Sequence, residues 1–93
     1  MEFIEEPNRI YAKDAGGAVI AEITFPERRA GVVEIDHTFV SDTLRGQGVA
    51  GELMQACYDR LRADGRKAVP TCSYAVRWFE SHPEEADVLA GEG

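Results

Sequence analysis

The sequence predicts a small mixed α/β (α+β) domain, one sheet of about four strands in the order β-β-β-α-β-α with two flanking helices. Three observations predict it. Short apolar runs separated by turn signals fill residues 8 to 40. An apolar residue then recurs every fourth position at Val49, Leu53, Cys57 and Leu61, the stripe of an amphipathic helix. A fourth apolar run and a second helix-like segment follow.

Asn8 to Asp14 reads as the first strand, with Ile10 and Ala12 alternating against Arg9, Tyr11 and Lys13. Asp14-Ala15-Gly16-Gly17 is a hairpin turn signal. Ala18 to Phe25 is the second strand, Pro26 to Gly31 the second turn, and Val32 to Val40 the third and longest strand. Such short connections make an antiparallel meander. Ser41 to Leu44 lead into a glycine turn, Arg45-Gly46-Gln47-Gly48-Val49-Ala50, which opens the first helix. That helix closes near Ala63-Asp64-Gly65, with Gly65 as its C-terminal cap. Lys67 to Thr71 is a fourth strand, and the helical crossover makes it parallel to the third. Ala75 to Ser81 forms a second helix, stopped by His82-Pro83. Glu84 to Gly93 is acidic, rich in small residues and expected to fray as a flexible tail.

Ninety-three residues suffice for one domain, 1 to 93, with a modest core. No run of about 18 apolar residues appears, and the acidic start Met1-Glu2-Phe3-Ile4-Glu5-Glu6 is unlike a signal peptide, so a cytoplasmic protein with no membrane partner is expected. The formal charge of −7 argues against nucleic acid, which needs a basic face, and suits a cationic partner such as an amine or basic peptide. Cys57 and Cys72 make no disulfide framework, and no His/Cys cluster has metal spacing, so no metal is expected.

The glycine turn carries the chemistry. Two glycines at a strand-to-helix turn let backbone N–H groups converge with no side chain in the way. Those groups are the unpaired donors of a helix N-terminus, where the helix dipole adds partial positive charge. The turn is therefore an anion site suited to a phosphate or pyrophosphate, with Arg45 at its mouth. Its bland alternative is a plain strand–helix connection.

Context favours the site. Val40 to Ala50 resembles the acetyl-CoA pyrophosphate loop of the GCN5-related N-acetyltransferases, whose Arg/Gln-x-x-Gly-x-Gly/Ala signature maps onto Arg45, Gly48 and Ala50. Ala75-Val76-Arg77-Trp78-Phe79-Glu80 resembles the later helix of that family, where an alanine precedes two aromatics flanking the cofactor. The resemblance runs from Val32 to His82. It is strongest to a short, divergent branch with a His-Thr pair in the strand before the loop and a Pro-x-Cys after the next strand, here His37-Thr38 and Pro70-Thr71-Cys72. The family's N-terminal helices, which form the acceptor pocket, and its last strands have no counterpart in these residues.

The resemblance implies a truncated fold of that family, with acetyl-CoA held by Arg45, Gly46, Gln47, Gly48, Val49, Ala50 and Gly51. It also implies backbone contacts from Phe39 and Val40 to pantetheine and to the acetyl carbonyl. Cys72, at a strand end just before a helix, is a candidate nucleophile, because a helix N-terminus favours the thiolate; its alternative is a small space-filling residue. His37 shares strand parity with Val33, Ile35 and Phe39 and is a candidate general base; its alternative is a half-buried, hydrogen-bonded histidine. Glu34 and Asp36, on the other face, read as solvated charges or as substitute bases. Tyr74 is a candidate acid for the leaving CoA thiolate or a packing aromatic. Arg66, Lys67 and Arg77 read as surface residues or as contacts to the 3′-phosphate. The expected activity is acetyl transfer to an amine, peptide or protein acceptor, directly or through acetyl-Cys72. The competing class is an acetyl-CoA-binding module without its own catalysis. An open coenzyme face on so small a domain invites a homodimer.

Overall fold

Period-two alternation along the first third of the chain builds antiparallel hairpins, and the amphipathic helix covers them. The computed structural model describes residues 1 to 91. Its strands are β1 (Ile4–Glu6), β2 (Arg9–Lys13), β3 (Val19–Thr24), β4 (Glu27–Arg29), β5 (Val32–Ile35), β6 (His37–Val40) and β7 (Lys67–Pro70). Its α-helices are α1 (Val49–Asp64) and α2 (Ser73–Ser81). One sheet has the order β1-β2-β3-β6 and is antiparallel throughout. The other has the order β4-β5-β7, with β5 and β7 parallel. The mixed α+β class, the meander and the parallel crossover are as expected.

Local chemistry explains the connections. Asp14 closes the first hairpin by accepting the N–H groups of Gly16 and Ala18 at 2.9 Å each. Gly65 ends α1 at φ 70°, where its N–H bonds the carbonyls of Arg62 and Leu61. The core lies between the sheets and α1, with Ile10, Ile23, Phe25, Ile35, Leu53 and Leu61 fully buried. α1 contributes Val49, Leu53, Cys57 and Leu61, the stripe read from the sequence, joined by Met54 and Tyr58.

Three expectations change. Val32 to Val40 is not one strand: it divides at Asp36. The Ile35 carbonyl accepts Thr71 N–H at 3.0 Å and Cys72 N–H at 3.2 Å, which ends the pairing with β7. Thr24 Oγ1 donates to Asp36 Oδ1 at 2.6 Å, and Asp36 N–H reaches Thr24 O at 3.4 Å, so the chain now belongs to β3. The burial phase reverses at this switch. Val33 and Ile35 are fully buried, but His37 and Phe39 are exposed, and Thr38 and Val40 take the inner positions opposite Ile23 and Ala21. The expected shared face of Val33, Ile35, His37 and Phe39 is therefore corrected. The turn from Pro26 to Gly31 also holds a strand, β4, which pairs with β5.

The tail is the third change. Pro83–Val88 forms a 3-10 turn packed on α1 rather than fraying. Val88 is buried, Tyr58 donates to Asp87 Oδ1 at 2.7 Å, and Lys67 Nζ donates to Asp87 O at 2.6 Å. Ala90 N–H then bonds Ala68 O on β7 at 2.9 Å. The last two residues of the expected tail, Glu92 and Gly93, lie outside the described residues.

Candidate functional site

Val40 leaves β6 and enters a 3-10 turn, Asp42–Leu44, capped by Ser41. Arg45 follows, its guanidinium 2.8 Å from Asp42 Oδ1 and both side chains largely in solvent. Gly46 and Gly48 take φ of 81° and 70°, a left-handed conformation that glycine adopts without steric cost. Gly48 is the N-cap of α1 and brings no side-chain cap. The bond from Glu52 N–H to Gly48 O at 3.1 Å starts the helical ladder. The N–H groups of Val49, Ala50 and Gly51 precede it, so the helix itself provides them with no acceptor. Among the described residues this is an uncapped helix N-terminus presented on an exposed glycine turn, as an anion site requires.

α2 begins beside it. A Cβ on Gly51 would stand 3.8 Å from the Tyr74 hydroxyl, so Tyr74 leans over the first turn of α1. Burial raises the Tyr74 phenol above the ordinary tyrosine range, which keeps it an O–H donor at neutral pH. Tyr74 also lines a 260 Å³ concavity with Arg77, Trp78, Ser81 and His82, where the Trp78 and His82 rings stack at 4.1 Å. Arg66 and Lys67 are held elsewhere. Arg66 donates to Pro7 O at 3.1 Å and Asp64 Oδ2 at 2.8 Å, and Lys67 to Asp87 O.

His37 and Cys72 stand on the two arms of a fork. β5 and β7 run together to Ile35; beyond it β6 follows β3, while the other arm turns into α2. β6 is the last strand of its sheet, so one edge of His37–Val40 carries no strand. Cys72 is the N-cap of α2, its Sγ accepting Ala75 N–H at 3.4 Å. His37 Nε2 lies 3.4 Å from Glu22 Oε1. Among the described residues no hydrogen bond joins His37 to Cys72. Phe39 is exposed on the same side as His37, and Val40 is half-buried at the end of β6 nearest the glycine turn. Cys57 is fully buried on α1, and burial pushes its thiol up to about 12.

Sequence reasoning missed Glu22, which reads as an ordinary polar position of β3. The signal was the register: Thr24 faces His37 and Glu22 faces Phe39, so Glu22 sits diagonally across from His37. It also missed the clasp at the fork, where Thr71 Oγ1 donates to Glu34 Oε2 at 2.8 Å and Arg28 pairs with Glu34 at 3.3 Å. A concavity of about 640 Å³ lies along β1 and the ends of β2 and β3 at Phe3, Ile4, Ala12, Lys13 and Ile20. No group of three or more metal-ligating side chains occurs among the described residues. No helix there is long and apolar enough to cross a membrane.

The profile of the GCN5-related N-acetyl-transferase family matches residues 9 to 88, the span that builds both arms of the fork and both helix starts. The chain belongs to this family. A GCN5-like protein from Staphylococcus aureus, solved in solution, superposes with a TM-score of 0.78 at 34% identity over 99% of this chain and 90% of that one. GCN5 of Tetrahymena shares the fold at a TM-score of 0.63 and 13% identity, over 91% of this chain and 61% of that one. Protein NATD1 of Gallus gallus is 35% identical over 52 residues, 56% of this chain and 47% of its own. The human NATD1 gives the same identity over 46% of its length. The chain thus spans about half the length of the curated relatives it matches.

Proposed function

We propose that this chain binds acetyl-CoA with its pyrophosphate on the N–H groups of residues 48 to 51 and passes the acetyl group to an amine. The observation that carries the reading is the uncapped α1 N-terminus on two left-handed glycines, at the end of an arm whose outer edge is free. Val49, Ala50 and Gly51 supply amide donors, the helix dipole favours the negative charge, and Tyr74 adds a hydroxyl beside them. In this reading Tyr74 helps to hold the anion or protonates the departing CoA thiolate. Arg45 and Gln47 flank the phosphates. Four residues of β6 span about 10 Å, so an arm laid along Phe39 and Val40 leads from the turn toward His37.

In the direct route His37 accepts a proton from the acceptor ammonium. The freed nitrogen forms a bond to the thioester carbon, the C–S bond breaks, and the CoA thiolate takes the proton shed by the new amide. In the covalent route His37 takes the Cys72 thiol proton, and the thiolate displaces CoA to give acetyl-Cys72, which then acylates the amine. A second reading, a binding module without catalysis of its own, is favoured by one feature: a concavity of about 640 Å³ is lined by β1 and the ends of β2 and β3 and not by the fork.

Calorimetric titration with acetyl-CoA, and separately with CoA, tests the coenzyme site. Saturable binding that disappears in Gly48→Glu supports it; unchanged affinity in that variant removes it. Mass spectrometry after incubation with acetyl-CoA then separates the routes, since only the covalent one leaves an acetyl adduct that Cys72→Ser lacks.

A further inference from the structure

We propose that Glu22 is the positioning residue for His37, fixing its ring with Nε2–H toward the carboxylate and Nδ1 free to accept a proton. The inference rests on the reading of His37 as the base. It starts from register: β3 and β6 are antiparallel with Thr24 opposite His37, which puts Glu22 and His37 on one face, two positions apart along β3. Glu22 Oε1 lies 3.4 Å from His37 Nε2, the one ion-pair-range contact between a histidine and a carboxylate among the described residues. Imidazole is an ambident base whose two nitrogens exchange roles, and the hydrogen bond at one nitrogen sets what the other does.

Glu22 is itself held in place. Its second oxygen, Oε2, accepts Arg9 Nε at 2.5 Å, and the Arg9 guanidinium stacks 3.7 Å above the Tyr11 ring, a buried residue. The Glu22 side chain is 20% exposed against 52% for His37, so the carboxylate is the fixed partner and the imidazole the one being oriented. Arg9, Glu22 and His37 thus form a line across three adjacent strands, β2, β3 and β6, that ends on the arm of the fork. No surface pair of this kind is needed for folding, because exposed ion pairs contribute little.

The test uses long-range nitrogen spectra of the His37 ring at alkaline pH, on the intact protein and on Glu22→Leu, Glu22→Gln and Glu6→Gln. Glu6 is the other carboxylate beside Arg9, at 3.7 Å, and serves as the control. The proposal expects a single Nε2–H tautomer in the wild type and in Glu6→Gln, a mixture in Glu22→Leu, and partial restoration in Glu22→Gln, whose amide oxygen still accepts. A ring spectrum that Glu22→Leu leaves unchanged overturns it, whatever the activity. In parallel, CoA release from acetyl-CoA with a lysine homopolymer as acceptor is expected to fall at least tenfold in kcat for Glu22→Leu, with KM for acetyl-CoA within twofold. Full turnover in Glu22→Leu beside an inactive His37→Ala overturns the positioning role and leaves the base. Full turnover in His37→Ala removes the base itself.

Discussion

Cys72 caps a helix and is proposed as a nucleophile, and one substitution separates the two. Its Sγ caps α2 by accepting Ala75 N–H, and the same sulfur is the candidate nucleophile at the fork. A serine oxygen is the better N-cap, so Cys72→Ser is expected to keep stability within about 0.5 kcal/mol of the wild type or to raise it, while Cys72→Ala loses about 1 kcal/mol. Thermal melts check the cap, and the acetyl adduct disappears in both variants if the covalent route operates. Cys57 and Tyr58 make a different prediction, on pH. Burial pushes the Cys57 thiol from 9.0 up to about 12. The hydrogen bond to Asp87, with burial second, pushes the Tyr58 phenol from 10.0 to about 12. Both groups are neutral in folded and unfolded chains below about pH 8, so stability there is independent of them. Between pH 9 and 12 the unfolded chain releases these protons while the folded chain retains them, and stability falls as pH rises. Denaturant melts at pH 8 and pH 10.5 are expected to show the loss, and Cys57→Ala with Tyr58→Phe to reduce its slope.

Helix α1 carries a left-handed glycine at each end, which gives a matched pair of variants. Gly48 and Gly65 share φ of 70°, and a Cβ at either would meet no heavy atom within 4 Å. Alanine at either position therefore costs backbone strain alone, about 1–2 kcal/mol. Only at Gly48 would the methyl group also stand beside the amides proposed to hold the pyrophosphate. The expected outcome is similar destabilisation in Gly48→Ala and Gly65→Ala, with acetyl-CoA affinity reduced at least tenfold in the first and unchanged in the second. Equal affinity in both variants would detach the ligand from the helix start. The same helix shows what the sequence could express. Its stripe, its Gly65 cap and the Asp14 hairpin are local chemistry, written within a few residues, and each is legible. The division at Asp36 is not, because Val32 to Val40 reads as one apolar strand and the switch depends on which partner is nearer, Thr71 and Cys72 on one side or Thr24 on the other. Glu22 was hidden for the same reason: its meaning depends on a residue fifteen positions away. The packed tail follows from Val88 and Asp87 finding α1 and β7, contacts that an acidic, small-residue composition does not announce.

The charge of the whole molecule works against the ligand that its glycine turn invites. The chain carries a formal −7, and acetyl-CoA is a polyanion. The attraction comes from amides and a helix dipole that act within a turn of the helix, whereas the repulsion extends over the Debye length, about 10 Å at 0.1 M salt. Arg45 has Asp42 2.8 Å from its guanidinium, so the approach to the turn carries a paired charge and not a lone cation. If acetyl-CoA binds at the turn as proposed, its encounter is slowed by a long-range term that salt removes, while the complex is held by short-range contacts that salt affects little. The association rate of acetyl-CoA is expected to rise severalfold between about 0.01 and 0.15 M salt, with the dissociation rate nearly constant. This is opposite in sign to the behaviour of a basic protein on a polyanion. Stopped-flow binding followed by the fluorescence of Trp78, the single tryptophan, measures both rates. An association rate that falls with salt would mean that Arg45 and Arg77 draw the coenzyme in from a distance. Affinity would then owe more to those guanidinium groups than to the uncapped helix.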